Sequence, residues 1–165
     1  MKTLVIHPFD VSTGFLEEIY RGKDWTVIDL NVSHSMLKAE IIEHDRIVML
    51  GHGNRDGLFG FDRTMVNSKL VYLLREKVCV CIWCYAEDFF KKYELKGFCT
   101  GMFISELIEA SLEYVHATKS EINQSNILFA EAINKSIDEV NMLESVHENY
   151  QGNTEVIEYN KNRLF

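Results

Sequence analysis

The chain contains one proline, Pro8, and no stretch of its 165 residues is dominated by glycine, serine or proline. No linker, low-complexity segment or internal repeat is marked, and the length suits one well-cored domain, 1–165, better than two. Long apolar runs are also missing. No charge-free run reaches the length of about 18 residues that a membrane span requires. Met1-Lys2-Thr3-Leu4-Val5-Ile6 reads as the approach to a strand and not as a signal peptide, so a cytoplasmic protein is expected. Basic residues are few and scattered: 17 Lys and Arg stand against 25 Asp and Glu, a formal charge of -8. A general nucleic-acid-binding role needs clustered Lys and Arg and is not expected.

A disulfide framework is absent as well. Of the four cysteines, Cys79, Cys81 and Cys84 fall within six residues on or just past one apolar run, where side chains of a single strand do not bridge easily. Reduced thiols are therefore expected. Cys79 and Cys81 lie inside the run and read as core residues, whereas Cys84 stands at its end.

What the chain does have is short β-branched runs alternating with helical patterns. Thr3–Ile6, Trp25–Leu30, Ile47–Leu50, Val78–Trp83 and Gly97–Ile104 read as strands. Helices are expected over Phe15–Arg21, with Ser12, Thr13 or Asp10 as N-cap, and from Ser33 or Ser35 to about His44. Further helices are expected from Asn67 or Ser68 to about Glu76, over Ala86–Tyr93 and from Ser105 to about Leu112. Thr118-Lys119-Ser120-Glu121 matches a capping box and opens a helix to about Val140. Between them, Arg55–Met65 has the glycine spacing of a small hairpin or ordered loop. The tail, Asn141–Phe165, is the least readable part, with Val156-Ile157-Glu158-Tyr159 as a short strand or surface extension. The expected fold is a single-domain three-layer α/β sandwich: a mostly parallel sheet of at least five strands with helices on both faces.

Two of the expected strands end in reactive side chains. Ile47-Val48-Met49-Leu50 leads into Gly51-His52-Gly53, and Val78-Cys79-Val80-Cys81-Ile82-Trp83 leads into Cys84. In open parallel sheets, chemistry gathers at the carboxyl ends of the strands. If the two strands are neighbours, the imidazole and the thiol share an edge. A helix starting at Ala86 and a nearby imidazole would both favour the thiolate of Cys84. His52 could then act as base and later as acid, and the N–H groups of Gly53 and Cys84 could receive an oxyanion. The bland alternative is a flexible turn at Gly51-His52-Gly53 and a half-buried thiol beside Trp83.

A hydrophobic strand ending in His-Gly, a spacer, and a second hydrophobic strand ending in Cys resembles the caspase, legumain and gingipain superfamily of cysteine peptidases. The resemblance runs from Thr3 to about Tyr93. It implies a caspase-like fold, a catalytic dyad of Cys84 and His52, and an oxyanion hole from the N–H groups of Gly53 and Cys84. It also implies a peptide or protein substrate, with no cofactor. Trp83 in place of the small or Gln-Ala context of caspases, and a spacer shorter than in most caspases, depart from the pattern.

Other constellations are weaker. Cys81-Ile82-Trp83-Cys84 is formally a redox motif, but the proline that would face it is missing and Cys81 lies within a strand. A zinc site of Cys81, Cys84 and His52 lacks a second ligand pair. Asp10-Val11-Ser12-Thr13-Gly14 occupies the place where flavodoxin-like proteins hold phosphate, without their Gly-rich or Ser/Thr-rich cradle. Asp10, Asn54 and Asp88 are candidate substrate contacts by position, Asp88 or Glu87 suiting a basic side chain. His7, His34, His44, His116 and His147 have no partner pattern and read as surface or capping residues. A non-catalytic binding or signalling module on the same fold is the rival to the hydrolase.

Overall fold

A computed structural model describes residues 1–165. In chain order the strands are β1 (Thr3–Ile6), β2 (Thr26–Ile28), β3 (Arg46–Leu50), β4 (Gly53–Asn54), β5 (Gly57–Phe59), β6 (Thr64–Val66), β7 (Val78–Ile82) and β8 (Lys96–Cys99). The α-helices are α1 (His34–Glu43), α2 (Val71–Leu74), α3 (Ala86–Lys92), α4 (Leu107–Leu112), α5 (Lys119–Ser136), α6 (Met142–Asn149) and α7 (Glu155–Lys161). A 3-10 helix, Val11–Ile19, follows β1.

Five strands form one all-parallel sheet in the order β2-β1-β3-β7-β8. Its pleat sends alternate residues to opposite faces. Val5, Val48 and Val80 lie in register across the three central strands and pack against the 3-10 helix and α5–α7. Leu4, Ile6, Ile47, Met49, Cys79 and Cys81 face α1–α3. The molecule is thus an α/β sandwich of three layers. β4, β5 and β6 make a separate antiparallel sheet beyond the carboxyl end of β3. No helix is long and apolar enough to cross a membrane.

Several boundaries differ from the sequence reading. The first helix is a 3-10 helix that starts at Val11, four residues before Phe15, because Asp10 and not Ser12 or Thr13 is the cap: its carboxylate accepts from Ser12 N. The second strand is confined to Thr26–Ile28. The fifth parallel strand ends at Cys99 instead of Ile104, and its outer edge there is paired by residues 163–165. Phe165 N donates to Cys99 O at 2.9 Å, Cys99 N donates to Phe165 O at 2.8 Å, and Gly101 N donates to Arg163 O at 2.7 Å. The capping box at Thr118 forms as expected, and its helix stops at Ser136.

The tail is the larger correction. Val156–Tyr159 belongs to helix α7, not to a strand or surface extension, and is capped by Thr154. Val146, Tyr150, Val156 and Ile157 are core residues. The Tyr150 hydroxyl bonds to Ser125 Oγ at 2.6 Å, and Asn160 Nδ2 donates to Ile104 O at 3.0 Å, tying α5 and α7 to the loop before α4. His7 is likewise not a surface residue, whereas His44, also buried, is the C-cap of α1, the capping role expected for it. His7 Nδ1 bonds to Tyr20 Oη at 3.1 Å and its Nε2 to Thr13 Oγ1 at 3.2 Å. Burial, the dominant cause, pushes its pKa below the ordinary value.

Candidate functional site

β3 and β7 are hydrogen-bonded neighbours, with Leu50 paired to Ile82. The residues that follow them therefore emerge at one edge. Gly51 turns the chain out of β3 with φ 140, a conformation that side chains disfavour, and its N–H donates to Ile82 O at 3.1 Å. Gly53 has a different reason to lack a side chain. A Cβ there would lie 2.3 Å from the Trp83 ring and 2.6 Å from Gly57 O. Trp83 is buried against this glycine and its Nε1 donates to Asn54 O at 3.0 Å, so the ring locks the loop carrying His52 to the end of β7.

His52 and Cys84 line one crevice, together with Thr13, Phe15, Phe103, Ser105 and Glu109. The crevice is small, about 30 Å³. On one side, His52 Nε2 lies 2.7 Å from Ser12 Oγ, which in turn lies 2.6 Å from Asp10 Oδ1. Asp10 also accepts from Ser12 N at 2.9 Å, and these bonds from Ser12 hold its carboxyl below the usual range. An ionised carboxylate only accepts, so the single Ser12 proton points to Asp10 and the Ser12 oxygen accepts from His52 Nε2–H. The lone pair of His52 is thereby left on Nδ1. Asp10, expected as a substrate contact, is linked to the imidazole through Ser12, with its Oδ1 3.8 Å from His52 Nε2.

On the other side, the Cys84 thiol faces acceptors: its Sγ is 3.7 Å from Phe103 O and 4.0 Å from Glu109 Oε1. Glu109 is held in place by Ser105 N at 2.7 Å and Glu106 N at 2.9 Å. The thiol pKa is pushed up to about 11, chiefly by burial, and the charges of Glu109, Glu87 and Glu113 add to the rise. This corrects the expectation of a lowered pKa at the start of α3. Tyr85, with φ 64, intervenes in a left-handed conformation, and the helix has seven residues. Burial and nearby acids outweigh its dipole. Cys79 and Cys81 are core thiols, as their place inside a strand suggested, and Cys99 is buried as well; burial pushes Cys79 and Cys99 up to about 12.

Asn54 and Asp88 are not among the residues of the crevice. Asn54 Oδ1 accepts from Asp56 N at 2.9 Å in the turn between β4 and β5, and Asp88 lies 3.9 Å from Arg55 on the surface. Glu87 has a buried carboxyl oxygen without a partner, and burial raises its pKa. Sequence reasoning missed Ser12 as the partner of His52, and Phe103, Ser105 and Glu109 as the wall around Cys84. Only the position of Glu109, three residues after Glu106 in a capping box, carried a local signal, and that signal speaks of a helix start. The phosphate reading of Asp10–Gly14 meets a carboxylate where the anion would sit.

Compared with protein-family models and with curated proteins, the chain matches none.

Proposed function

We propose that the protein is a caspase-like cysteine hydrolase, a peptidase, with Cys84 as nucleophile. The observation that carries this reading is the convergence of His52 and Cys84 on one crevice at the carboxyl ends of paired parallel strands. His52 Nδ1 takes the thiol proton and sulfur attacks the peptide carbonyl. The oxyanion is received by the N–H groups of Gly53 and Cys84, and the proton passes to the leaving amine as the C–N bond breaks. Water then attacks the thioester, returns the thiol and releases the acid. Ser12 and Asp10 stabilise the imidazolium at Nε2. The substrate is a peptide or protein.

The test is alkylation of the folded protein. Iodoacetamide should modify Cys84 ahead of Cys79, Cys81 and Cys99, and His52→Ala should slow that reaction by about a hundredfold, the lower end of the range for a lost general base. Equal labelling of all four thiols, or indifference to His52, removes the reading.

A second reading, a binding or signalling module on the same fold, is favoured by the thiol pKa of about 11 and the crevice of about 30 Å³. Wild type and Cys84→Ala would then give identical profiles on a broad fluorogenic peptide panel.

A further inference from the structure

Beside the crevice lies a much larger groove, of about 770 Å³. Its walls are the 3-10 helix, the segment from Ser105 to Ile108, and the first half of α5. Phe15 and Ser105 line both spaces, and Ser12, the partner of His52, stands in the groove wall. The groove therefore borders the crevice of His52 and Cys84.

Its apolar residues are Val11, Phe15, Leu107, Ile108, Ile122 and Ile127. Val11 is 86% exposed, Ile108 63% and Ile127 54%. Together they give the groove an exposed apolar lining. The charged residues of the groove are one of each sign, Glu106 and Lys119, so the groove carries no net attraction for a charged side chain. Asn126 is a buried part of the groove wall, where its Nδ2 donates to Ser105 O at 3.0 Å and holds α5 to the segment before α4.

We propose that this groove is the specificity channel of the hydrolase and seats a peptide segment bearing a large uncharged apolar side chain, such as leucine or phenylalanine, next to the scissile bond. The assignment rests on the peptidase reading and adds its substrate class. It also replaces the expectation that Asp88 or Glu87 selects a basic side chain, since Asp88 stands with Arg55 on the surface.

The experiment measures binding without turnover. Fluorescein-tagged Gly-Gly-X-Gly-Gly peptides, with X as Leu, Phe, Arg or Asp, are titrated into the Cys84→Ala protein and read by anisotropy. Leu and Phe peptides should bind at least tenfold tighter than Arg and Asp peptides. Ile108→Asp and, separately, Ile127→Asp, both at exposed positions, should erase that preference in protein whose circular dichroism is unchanged. Equal affinity for the four peptides, absence of binding, or tighter binding of a charged peptide overturns the proposal. So does concentration-dependent self-association in sedimentation that Ile108→Asp abolishes, because a second copy would then be the occupant. Alkylation of Cys84 is read separately in the Cys84-containing protein. Loss of its dependence on His52 with the Leu and Phe ranking intact sinks the hydrolase and leaves the channel as a peptide site. The reverse result sinks the channel alone.

Discussion

The two faces of the sheet are assembled from different distances along the chain. The face bearing Leu4, Ile47, Cys79 and Cys81 is covered by α1, α2 and α3, each close in sequence to the strands it packs on. The opposite face, bearing Val5, Val48 and Val80, is closed largely by α5, α6 and α7, which arrive after the last strand. Local βαβ units build the first face, and long-range docking completes the second. The walls of the crevice, Phe15 and Phe103, belong to that second face. The surroundings of Cys84 are therefore coupled to helices that contribute no reacting group.

The strongest way to break this comparison is a matched pair of cavities. Phe129 lies 4.4 Å from Phe103 and 5.5 Å from Tyr150, ring to ring, and is fully buried. Phe129→Ala should lower stability by about 3–5 kcal/mol in urea titrations. It should also speed native-state alkylation of Cys84, because Phe103 carries the carbonyl facing the thiol. Ile41→Ala, on α1 across the sheet, should cost about 2–5 kcal/mol and leave that labelling rate unchanged. Equal effects of the two substitutions on labelling would erase the distinction between the faces.

A finer probe is the polar knot within the second face. Ser125 Oγ, Tyr150 Oη and Asn160 Nδ2 are mutually bonded and buried. Tyr150→Phe should cost about 0.5–1.5 kcal/mol, the worth of a lost hydrogen bond, because Ser125 and Asn160 still bond to one another and Asn160 to Ile104 O. A change within experimental error would mean that shape alone holds α5 and α7 together.

The smallest effect is expected from protons. His7 anchors the start of the 3-10 helix through Thr13 and Tyr20, and its pKa lies below 6.5 because of burial. The unfolded chain then takes up the proton first as pH falls. The stability tied to neutral His7 is complete above 6.5 and declines as pH drops toward the lowered folded value. Melting temperatures should fall on acidification through this range, and His7→Gln should flatten the slope. A slope unaltered by that substitution would assign the dependence to other groups.

How much of this was legible depends on the range of each interaction. The capping box at Thr118 and the placement of Cys79 and Cys81 inside a strand were readable because both are local patterns. The helix at Val156 was misread because a four-residue apolar run fits either period; Thr154 with Glu155 behind it was the available helix signal. The residues at the two strand ends were found from topology, since paired parallel strands deliver both to one edge. The contact from Ser12 to His52 spans 40 residues, and no local pattern announces it. The raised pKa of Cys84 was missed for the same reason: Phe103 and Glu109 come from 19 and 25 residues further on.

The pairing of Arg163–Phe165 with Cys99 and Gly101 has a consequence for the solution behaviour of the molecule. A sheet margin with bare amides and carbonyls invites another polypeptide to zip onto it. Here that margin is occupied from within by a three-residue ribbon. Clipping those residues would take Leu164 out of the core and bare the amides and carbonyls of Cys99–Gly101 for pairing with another chain.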